Sequence, residues 1–463
     1  MYSDKKINLN MFKQLAVLGL TLLLVSTACI KEDSNEFSEI NTWIKDEMQT
    51  NYLWNERVPE SVSGTIPPGA FFGSMLDPED NTSFILSNSN IIPGETSGLT
   101  FTSGISPAFG QFSNTGGVFI IVEFVYPGSP ADSAGFKRGD IILGIDGSGL
   151  TTANFLQLFY SERNSVRYSL GSYDPEAQTI FFADSNVTVE QGELDLNPVV
   201  YSDIIEQNND KVGYILYASF NSGESAKYND SLDVVLQEMK SQGISELIID
   251  LRYNEGGDFD AARNFANAVV PASSAQDEDV FIRLKYNDIL EQQILQEDGE
   301  DSERLFIKFE EDPENLNLER VYFLTTSSTS STSELMISGL SPHLEVVKVG
   351  TRTAGEYFGT KIIFGSEATP PNSYIMVPVV LQYQNSNGTT VSGGIEPNLT
   401  AVENLLQPFP IGDTQDPILA RALNSISNGG QSSSAKFISK PYIDLVDERS
   451  RKLGRIMFRS EKN

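Results

Sequence analysis

The feature that most constrains this sequence is an apolar run at residues 321–324, followed by nine consecutive serines and threonines at 325–333. The run Val-Tyr-Phe-Leu has the β propensity of a short buried strand, and residues 334–340 have helical spacing. The chain is therefore predicted to pass from strand to helix through a hydroxyl-rich turn. Free N–H groups and the helix dipole at such an N-terminus favour developing negative charge, which an acyl-transfer nucleophile needs beside it.

Ser331 and Glu334 in this stretch have a second interpretation. Their three-residue spacing is also that of a capping box, in which the two side chains satisfy backbone N–H groups at the start of a helix. This segment alone leaves both interpretations open, a helix cap and a catalytic nucleophile.

The chain of 463 residues is strongly acidic, with 32 Lys and Arg residues against 63 Asp and Glu residues and a net charge of −31. Such a surface repels phosphate backbones, so we expect no nucleic-acid partner. The length predicts several domains with enough material for hydrophobic cores.

The N-terminus is typical of an exported protein. Residues 8–28 contain a short apolar core flanked by lysines, which predicts a signal peptide. Small residues then precede Cys29, and this arrangement resembles a bacterial lipobox in which the cysteine thiol is lipidated. The following Ile-Lys-Glu-Asp at 30–33 resembles an outer-membrane export signal, which predicts a lipid anchor in the outer membrane, on its periplasmic or cell-surface face. The alternative is a plain signal peptide cut near Ala28.

Cysteine and histidine are too rare to build several kinds of site. A single cysteine allows no intramolecular disulfide, and a single histidine, His343, excludes a zinc site built on several histidines. We predict no cofactor and no metal site. The membrane is expected as a partner only through the lipid on Cys29.

Changes in composition and in secondary-structure signals along the chain predict five regions. Residues 1–28 are the signal peptide, 29–95 a helical cap, 96–192 a β-rich domain, 193–426 an α/β core and 427–463 a flexible basic tail. The α/β assignment of the core follows from its alternating strand and helix signals. Within it, residues 276–315 are charged and are expected to form an irregular surface insertion.

The β-rich region closely resembles a PDZ domain. The resemblance is carried by the series Gly-Ser-Pro-Ala-Asp-Ser-Ala-Gly-Phe-Lys-Arg-Gly-Asp at residues 128–140. A PDZ domain implies capture of a peptide as an added strand, with its C-terminal carboxylate held by a backbone loop. Thr102, Ser103, Gly104 and Ile105 would form that loop here. An ordinary entry into a strand is the alternative for these four residues.

Three further motifs occur in a fixed order. They are Asp-Leu-Arg-Tyr-Asn-Glu-Gly-Gly at 250–257, Thr-Ser-Ser-Thr-Ser-Glu at 329–334 and Gly-Thr-Arg-Thr-Ala-Gly at 350–355. Together with the PDZ-like segment and the helical cap, they resemble the tail-specific (C-terminal processing) serine protease family. The resemblance implies an α/β serine-protease core and polypeptide substrates with exposed C-termini.

The resemblance also assigns roles to individual residues. Ser331 takes the place of the nucleophile, and the backbone N–H of Thr332 would form the oxyanion hole with that of Gly256 or Gly257. Glycine at this turn lets the backbone approach the substrate carbonyl closely. A tight strand-to-helix turn without a catalytic duty is the alternative for the two glycines.

The sequence departs from the family at the general base. The family has a lysine 25 residues after the nucleophile, and this chain has Glu356 there. A carboxylate is a weaker base than a desolvated lysine unless burial raises its pKa. Lys361 is too far along the chain to replace it simply, and His343 is expected in an exposed turn. Two functions therefore remain: a peptidase acting through Ser331, and a catalytically impaired relative that binds peptides.

Overall fold

The computed structural model describes residues 37–86, 100–112, 116–208, 210–365, 374–428, 442–447 and 456–458. Cys29 and the predicted signal peptide lie outside the described residues. No helix in these ranges combines the length and the apolar character that a bilayer crossing requires.

The N-terminal unit is mainly helical and packs on the core. It comprises α1 (Ser38–Asn51), α2 (Pro68–Gly73) and β1 (Phe84–Leu86). Ile44 and Met48 of α1 lie one helical turn apart, and both are buried because this spacing puts them on one face. They form a hydrophobic cluster with Met376 and Val379 of the core. The cap is thereby fixed to the core.

The PDZ-like unit is a twisted antiparallel sheet with two short helices. Its elements are β2 (Thr100–Thr102), β3 (Ile105–Phe112), β4 (Val118–Val125), α3 (Pro130–Ser133), β5 (Ile141–Ile145), β6 (Ser148–Gly149), α4 (Phe155–Tyr160), β7 (Ser165–Asp174), β8 (Thr179–Glu190) and β9 (Gly192–Leu194). The strand order is β3-β4-β5-β7-β8, with β6 paired to β5. Within the PDZ-like unit itself, β3 is thus an edge strand.

The core is an α/β unit, as its alternating strand and helix signals predict, and it begins with a mostly parallel sheet. The first half of the core contains β10 (Val199–Gln207), β11 (Asp210–Tyr217), α5 (Lys227–Gln242), β12 (Glu246–Asp250), α6 (Phe259–Val269), α7 (Ala272–Gln276), β13 (Val280–Tyr286), α8 (Asp288–Asp298) and β14 (Phe306–Lys308). Its second half contains β15 (Arg320–Thr325), α9 (Thr332–Leu340), β16 (Glu345–Gly350), β17 (Phe358–Lys361), β18 (Ile363–Phe364), β19 (Ile375–Val377), β20 (Val379–Asn385), β21 (Leu399–Thr400) and α10 (Pro417–Ser427). The first sheet has the order β10-β11-β12-β15-β16-β21 and is parallel from β11 onward.

Helix α9 lies at the centre of the molecule. All nine of its residues are buried. Its apolar side chains belong to one hydrophobic cluster with strands of the six-stranded sheet and with β13 and β20 of a second sheet. The helix N-terminus therefore opens inside the protein, where electrostatic interactions are stronger than in water.

Two regions differ from the sequence-based expectations. Residues 276–315 were expected to be irregular, but they form β13, α8 and β14, because apolar side chains such as Phe281 and Ile294 alternate with the charges and are buried. The tail was expected to be flexible over 427–463. It instead contains two described strands, β22 (Tyr442–Leu445) on β3 and β23 (Ile456–Phe458) on β17.

Candidate functional site

The strand-to-helix turn lies at the carboxyl edge of the parallel sheet, where β12 and β15 end side by side. The N–H of Leu251, just past β12, donates to the Leu324 carbonyl at 3.0 Å. The Thr329 hydroxyl donates back to the Leu251 carbonyl at 2.8 Å. Loops after neighbouring parallel strands meet at this edge, which is the usual place for a site in an open α/β sheet. The motifs at 250–257 and 329–334 are therefore brought into contact.

The hydroxyl groups next to Ser331 all bind backbone carbonyls of the glycine-containing loop. Ser330 Oγ donates to Glu255 at 2.8 Å, Thr332 Oγ1 to Gly257 at 2.6 Å and Ser333 Oγ to Asn254 at 3.0 Å.

Ser331 Oγ differs from these neighbours. It is buried, and although the N–H of Glu334 faces it in the capping-box arrangement, it makes no hydrogen bond with the described residues. A buried hydroxyl without a partner costs roughly 1–3 kcal/mol, so such groups are rare unless they serve a function.

The backbone of Ser331 is held in an unusual conformation. With φ 54° and ψ −117° it is the N-cap of α9 and one of the few non-glycine residues with positive φ. Such a conformation costs on the order of 1–3 kcal/mol and persists only where the surroundings fix it. The strain and the unpartnered hydroxyl thus occur at the same residue.

The two glycines predicted for the oxyanion hole are not equivalent. The N–H of Gly256 donates to Asn254 Oδ1 at 2.9 Å and is engaged. None of the backbone hydrogen bonds found among the described residues uses the N–H of Gly257. Gly257 has φ +135°, and a Cβ there would lie 1.9 Å from the Phe220 carbonyl oxygen, so only glycine fits. Thr332, at the first helical position, has no intrahelical acceptor for its N–H.

Glu334 joins the two halves of the site. Its carboxylate accepts hydrogen bonds from the N–H of Ser331 at 3.1 Å, of Gly355 at 2.7 Å and of Glu356 at 2.7 Å, and from the Thr353 hydroxyl. The bond to Ser331 is the capping-box contact that the sequence spacing predicts. The other three bonds hold the loop that carries Glu356 against the start of α9.

Burial dominates the titration of Glu334. It raises the pKa of this carboxyl to about 7 from an ordinary value of 4.5, against the opposing effect of the four donors. Desolvation disfavours the charged form, whereas hydrogen bonds donated to a carboxylate favour it.

Tyr383 forms a second connection between Ser331 and Glu356. Its buried hydroxyl lies 3.1 Å from the Ser331 carbonyl oxygen and 2.9 Å from that of Glu356. The backbones of the predicted nucleophile and of the residue at the family's lysine position therefore lie side by side. Burial, followed by the charges of Glu334 and Glu356, raises the pKa of Tyr383 well above its usual value, so its hydroxyl stays protonated and can donate.

The other two candidates for a base lie elsewhere. Lys361 is close enough to Glu47 of α1 to lower the pKa of that carboxyl, although burial raises it overall. His343 follows the far end of α9, about 13 Å from its start at 1.5 Å per residue. Its Nε2 is 3.1 Å from the Val280 carbonyl oxygen, and its side chain is only 10% exposed. His343 therefore lies in a turn, as expected, but the expectation that its side chain is exposed is wrong.

A buried ionic network supports the loop behind the glycines. Arg252 binds Asp250 at 2.7 Å, Asp416 at 2.9 Å and Glu403 at 3.1 Å. Arg138 of the PDZ-like unit binds the same Glu403 at 2.7 Å. Burial raises the pKa of Glu403, but the two guanidinium groups outweigh this and lower it, so the carboxylate stays charged. The PDZ-like unit is in this way joined to the base of the site.

The predicted carboxylate loop lies between β2 and β3. The Ser103 carbonyl accepts from the N–H of Ala131 at 2.9 Å, and the Ser103 hydroxyl lies 3.2 Å from that of Tyr168. Gly104 has φ +93°, and a Cβ there would overlap the Ser129 side chain. Thr102, Ser103 and Ile105 line a cavity of about 290 Å³ beside Phe159 and Tyr160 of α4.

The sequence analysis did not identify three contributors to the site. They are Glu334 as the acceptor of four hydrogen bonds, Thr353 and Tyr383. Glu334 and Thr353 lie inside the quoted motifs, so their positions were visible but their contacts were not. Tyr383 lies in an ordinary buried strand and has no sequence signal. Within the described parts of the chain, no cluster of three or more His, Cys, Asp and Glu side chains could hold a metal ion.

The fold and site together define a serine-hydrolase type of architecture, with a strained serine at a buried helix N-terminus and a PDZ-like unit attached. Family comparisons agree with this class. Peptidase family S41 matches residues 211–401, the peptidase S41 N-terminal domain matches 39–84 and a PDZ domain matches 121–165. The chain therefore contains a peptidase family S41 domain and is similar to the C-terminal processing proteases, as the sequence motifs predict.

Individual proteins that are similar to this chain are also C-terminal processing proteases. A carboxyl-terminal-processing protease of Picosynechococcus sp. is 28% identical over 241 residues, which is 50% of this chain and 52% of that protein. A chloroplastic C-terminal processing peptidase of Tetradesmus obliquus is 28% identical over 167 residues, 33% of each chain. The chain thus spans about half or less of the length of these curated relatives.

A solved structure supports the fold over a larger part of the chain. A Bacteroides fragilis protein assigned to the S41 proteases superposes with a TM-score of 0.67 at 28% identity. The superposition covers 84% of this chain and 98% of that one. The helical cap, PDZ-like unit and protease core are therefore confirmed as the fold.

Proposed function

We propose that this protein is a cell-envelope serine endopeptidase that captures polypeptide C-terminal tails through its PDZ-like unit and cleaves them at Ser331. The observation that carries the proposal is the difference between Ser331 and its neighbours. Ser330, Thr332 and Ser333 donate their hydroxyl protons to backbone carbonyls, whereas Ser331 Oγ has no partner among the described residues.

The proposed reaction is acyl transfer. Ser331 Oγ attacks the carbonyl carbon of the scissile bond, and its proton passes to the general base. The resulting oxyanion accepts hydrogen bonds from the N–H groups of Gly257 and Thr332. Collapse of the tetrahedral intermediate breaks the C–N bond, and the amine leaves with the proton. Water then hydrolyses the Ser331 ester by the same steps and releases the new C-terminus.

Glu356 is the proposed base, because its main chain is held beside Ser331 by Glu334 and Tyr383. A carboxylate can act in this role if its surroundings favour the protonated form when the proton arrives. The cation that a lysine would supply is missing at this position, so turnover by Glu356 is expected to be slow.

Labelling with a fluorophosphonate tests the nucleophile. We expect the wild type to be labelled and Ser331→Ala to lose labelling by at least 100-fold, because the reacting atom is removed. Ser331→Ala should also unfold at an equal or higher temperature, since a buried hydroxyl without a partner is deleted. The matched control is Ser327→Ala, an exposed serine of the same run that should label as the wild type does. Equal labelling of wild type and Ser331→Ala contradicts the proposal.

A catalytically impaired, peptide-binding relative is the second candidate. Two observations favour it: Glu356 stands at the lysine position, and Ser331 is 0% exposed. In this case the PDZ-like unit would still bind peptides while hydrolysis would be negligible.

A Glu356→Lys variant distinguishes the two candidates. Its amine would supply both a base and a positive charge beside Ser331, so we expect the labelling rate to rise at least tenfold over the wild type. Glu356→Gln is the control, since it removes the charge without adding a base, and it should label more slowly than wild type. A wild type that is unreactive while Glu356→Lys is active identifies an impaired member. Loss of labelling in Glu356→Lys would exclude this position as the base site.

The cellular location remains a proposal from the N-terminal sequence. We propose lipidation of Cys29 and an outer-membrane location, supported by the apolar segment and the small residues before this cysteine. Substrates would then be other exported polypeptides. Metabolic labelling with palmitate, compared between wild type and Cys29→Ser, is the direct test.

A further inference from the structure

The C-terminal segment of the chain lies on the edge of the PDZ-like sheet. Strand β22 pairs with β3 in an antiparallel register that runs from Tyr442 opposite Phe112 to Leu445 opposite Phe109. It extends the sheet to the order β22-β3-β4-β5-β7-β8. Because β3 is the edge strand of the PDZ-like unit itself, β22 stands where strand addition would place a bound peptide.

The direction of β22 is that of a ligand. As the segment advances from Tyr442 to Leu445, its partners on β3 run backward toward Ile105. Ile105 closes the predicted carboxylate loop. The segment therefore runs with its C-terminal direction toward that loop, which is the orientation of a captured C-terminal tail.

Side chains hold the segment on both faces of the sheet. Tyr442 is buried on the face opposite α4, in an apolar cluster with Leu405, and its ring lies 5.2 Å from that of Phe119 in an edge-on contact. Leu445 packs against the apolar cluster that contains Phe109 and Phe159. The Tyr160 hydroxyl, at the end of α4, donates to the Asp447 carboxylate. Ile443, in contrast, is 57% exposed and contributes little to this contact.

The same segment lies between the groove that β3 and α4 form and the candidate catalytic site. Residues 444–447 line a cavity of about 270 Å³ together with Glu255 and Ser328, which belong to the two loops around Ser331. A substrate that passed from the groove to Ser331 would have to cross this space.

We infer that residues 442–447 are a built-in ligand of the PDZ-like unit, which a substrate peptide must displace before it can be bound and presented to Ser331. The inference rests on the proposed function of the PDZ-like unit. It also identifies what this edge accepts: an extended segment with an aliphatic residue facing α4, a carboxylate two positions later near Tyr160, and an aromatic residue three positions earlier on the opposite face of the sheet.

A disulfide lock tests the placement of the segment. Gln111 and Ile443 stand opposite each other, and opposed residues of antiparallel strands have Cα atoms about 4.5–5.5 Å apart, which suits a disulfide. On a Cys29→Ser background of the full chain, Gln111→Cys with Ile443→Cys should cross-link on mild oxidation. The corresponding single-cysteine variants are the controls and should stay monomeric and unlinked. Failure to cross-link overturns the inference, and leaves the labelling test of Ser331 unaffected.

The locked protein then tests competition. The probe is a fluorescein-labelled synthetic peptide with the sequence of residues 440–448, and fluorescence anisotropy measures its dissociation constant. We expect the oxidised protein to bind the peptide at least tenfold more weakly than the same protein after reduction. Equal binding by both forms shows that this groove is not the peptide site, which overturns the inference and the proposed capture of tails together.

A pair of alanine variants provides the measurement without cross-linking. Tyr442→Ala removes the buried ring and should let the labelled peptide bind at least tenfold more tightly than it binds wild type. The matched control Ile443→Ala changes the exposed neighbour in the same strand and should leave binding within twofold of wild type. The inference is wrong if both variants bind as the wild type does.

Discussion

An Arg252→Ala variant is expected to lose about 3–5 kcal/mol of unfolding free energy, because removal of one partner leaves buried charge uncompensated. Arg252 is 1% exposed in its side chain and binds three carboxylates, those of Asp250, Glu403 and Asp416. Arg138 reaches only part of this group. The carboxylates would have to take up protons or admit water, and either change costs folding free energy. Urea unfolding followed by circular dichroism measures the loss.

Arg304→Ala is the matched control for this prediction. Arg304 also binds two carboxylates, Glu297 and Asp298, but its side chain is 48% exposed. Solvent-exposed ion pairs contribute about 0–1 kcal/mol to folding stability. The unfolding free energy of this variant should therefore stay close to that of the wild type. A similar loss of unfolding free energy in both variants would show that the contribution of the Arg252 network to stability does not depend on its burial.

A Glu334→Gln variant is expected to lose about 1–3 kcal/mol of stability and to slow fluorophosphonate labelling at least tenfold. An amide has one oxygen, whereas the carboxylate accepts three backbone N–H groups and one hydroxyl. With the amide nitrogen on the side of Thr353, the N–H of Gly355 loses its acceptor. With the amide nitrogen in the place of the other oxygen, the N–H groups of Ser331 and Glu356 lose their acceptor. At least one buried N–H is unsatisfied in either orientation.

The raised pKa of Glu334 adds a pH signature to this prediction. The folded protein keeps this proton up to about pH 7, whereas the unfolded chain releases it near 4.5. Between these values the folded state binds more protons, so the contribution of Glu334 to stability is full below the lower value and falls as the pH rises. The change is at most about 3 kcal/mol.

Urea unfolding at pH 5 and at pH 8 measures this contribution. The stability difference between wild type and Glu334→Gln should be larger at pH 5, because glutamine does not titrate in this range. Glu345→Gln, an exposed glutamate on β16, is the control and should show no such difference. A difference that grows with pH would mean that Glu334 is already ionised in the folded protein at pH 5.

Sequence reasoning predicted the fold class and the order of its units because local patterns carry that information. Alternating strand and helix signals indicated the α/β core. The motifs around Gly257 and Ser331 lie next to each other because the loops after neighbouring parallel strands meet at one edge of the sheet. The spacing predicted the hydrogen bond from Ser331 to Glu334, but not the other three. Their donors lie in a loop about twenty residues away, whose path depends on β16 and β17. The tail was misjudged because β22 has only four residues. Its stability comes from an edge strand more than three hundred residues away.

Residues 442–447 are an internal stretch of chain, and none of the residues that line the cavity at Thr102, Ser103 and Ile105 belongs to it. The resident strand therefore has no terminal carboxylate to offer at the end of the groove. An incoming polypeptide end has both the strand and the carboxylate. Under the proposed capture of C-terminal tails, this one functional group would distinguish a substrate end from residues 442–447. A chain with an amidated or extended end would lose that advantage over the segment it must replace.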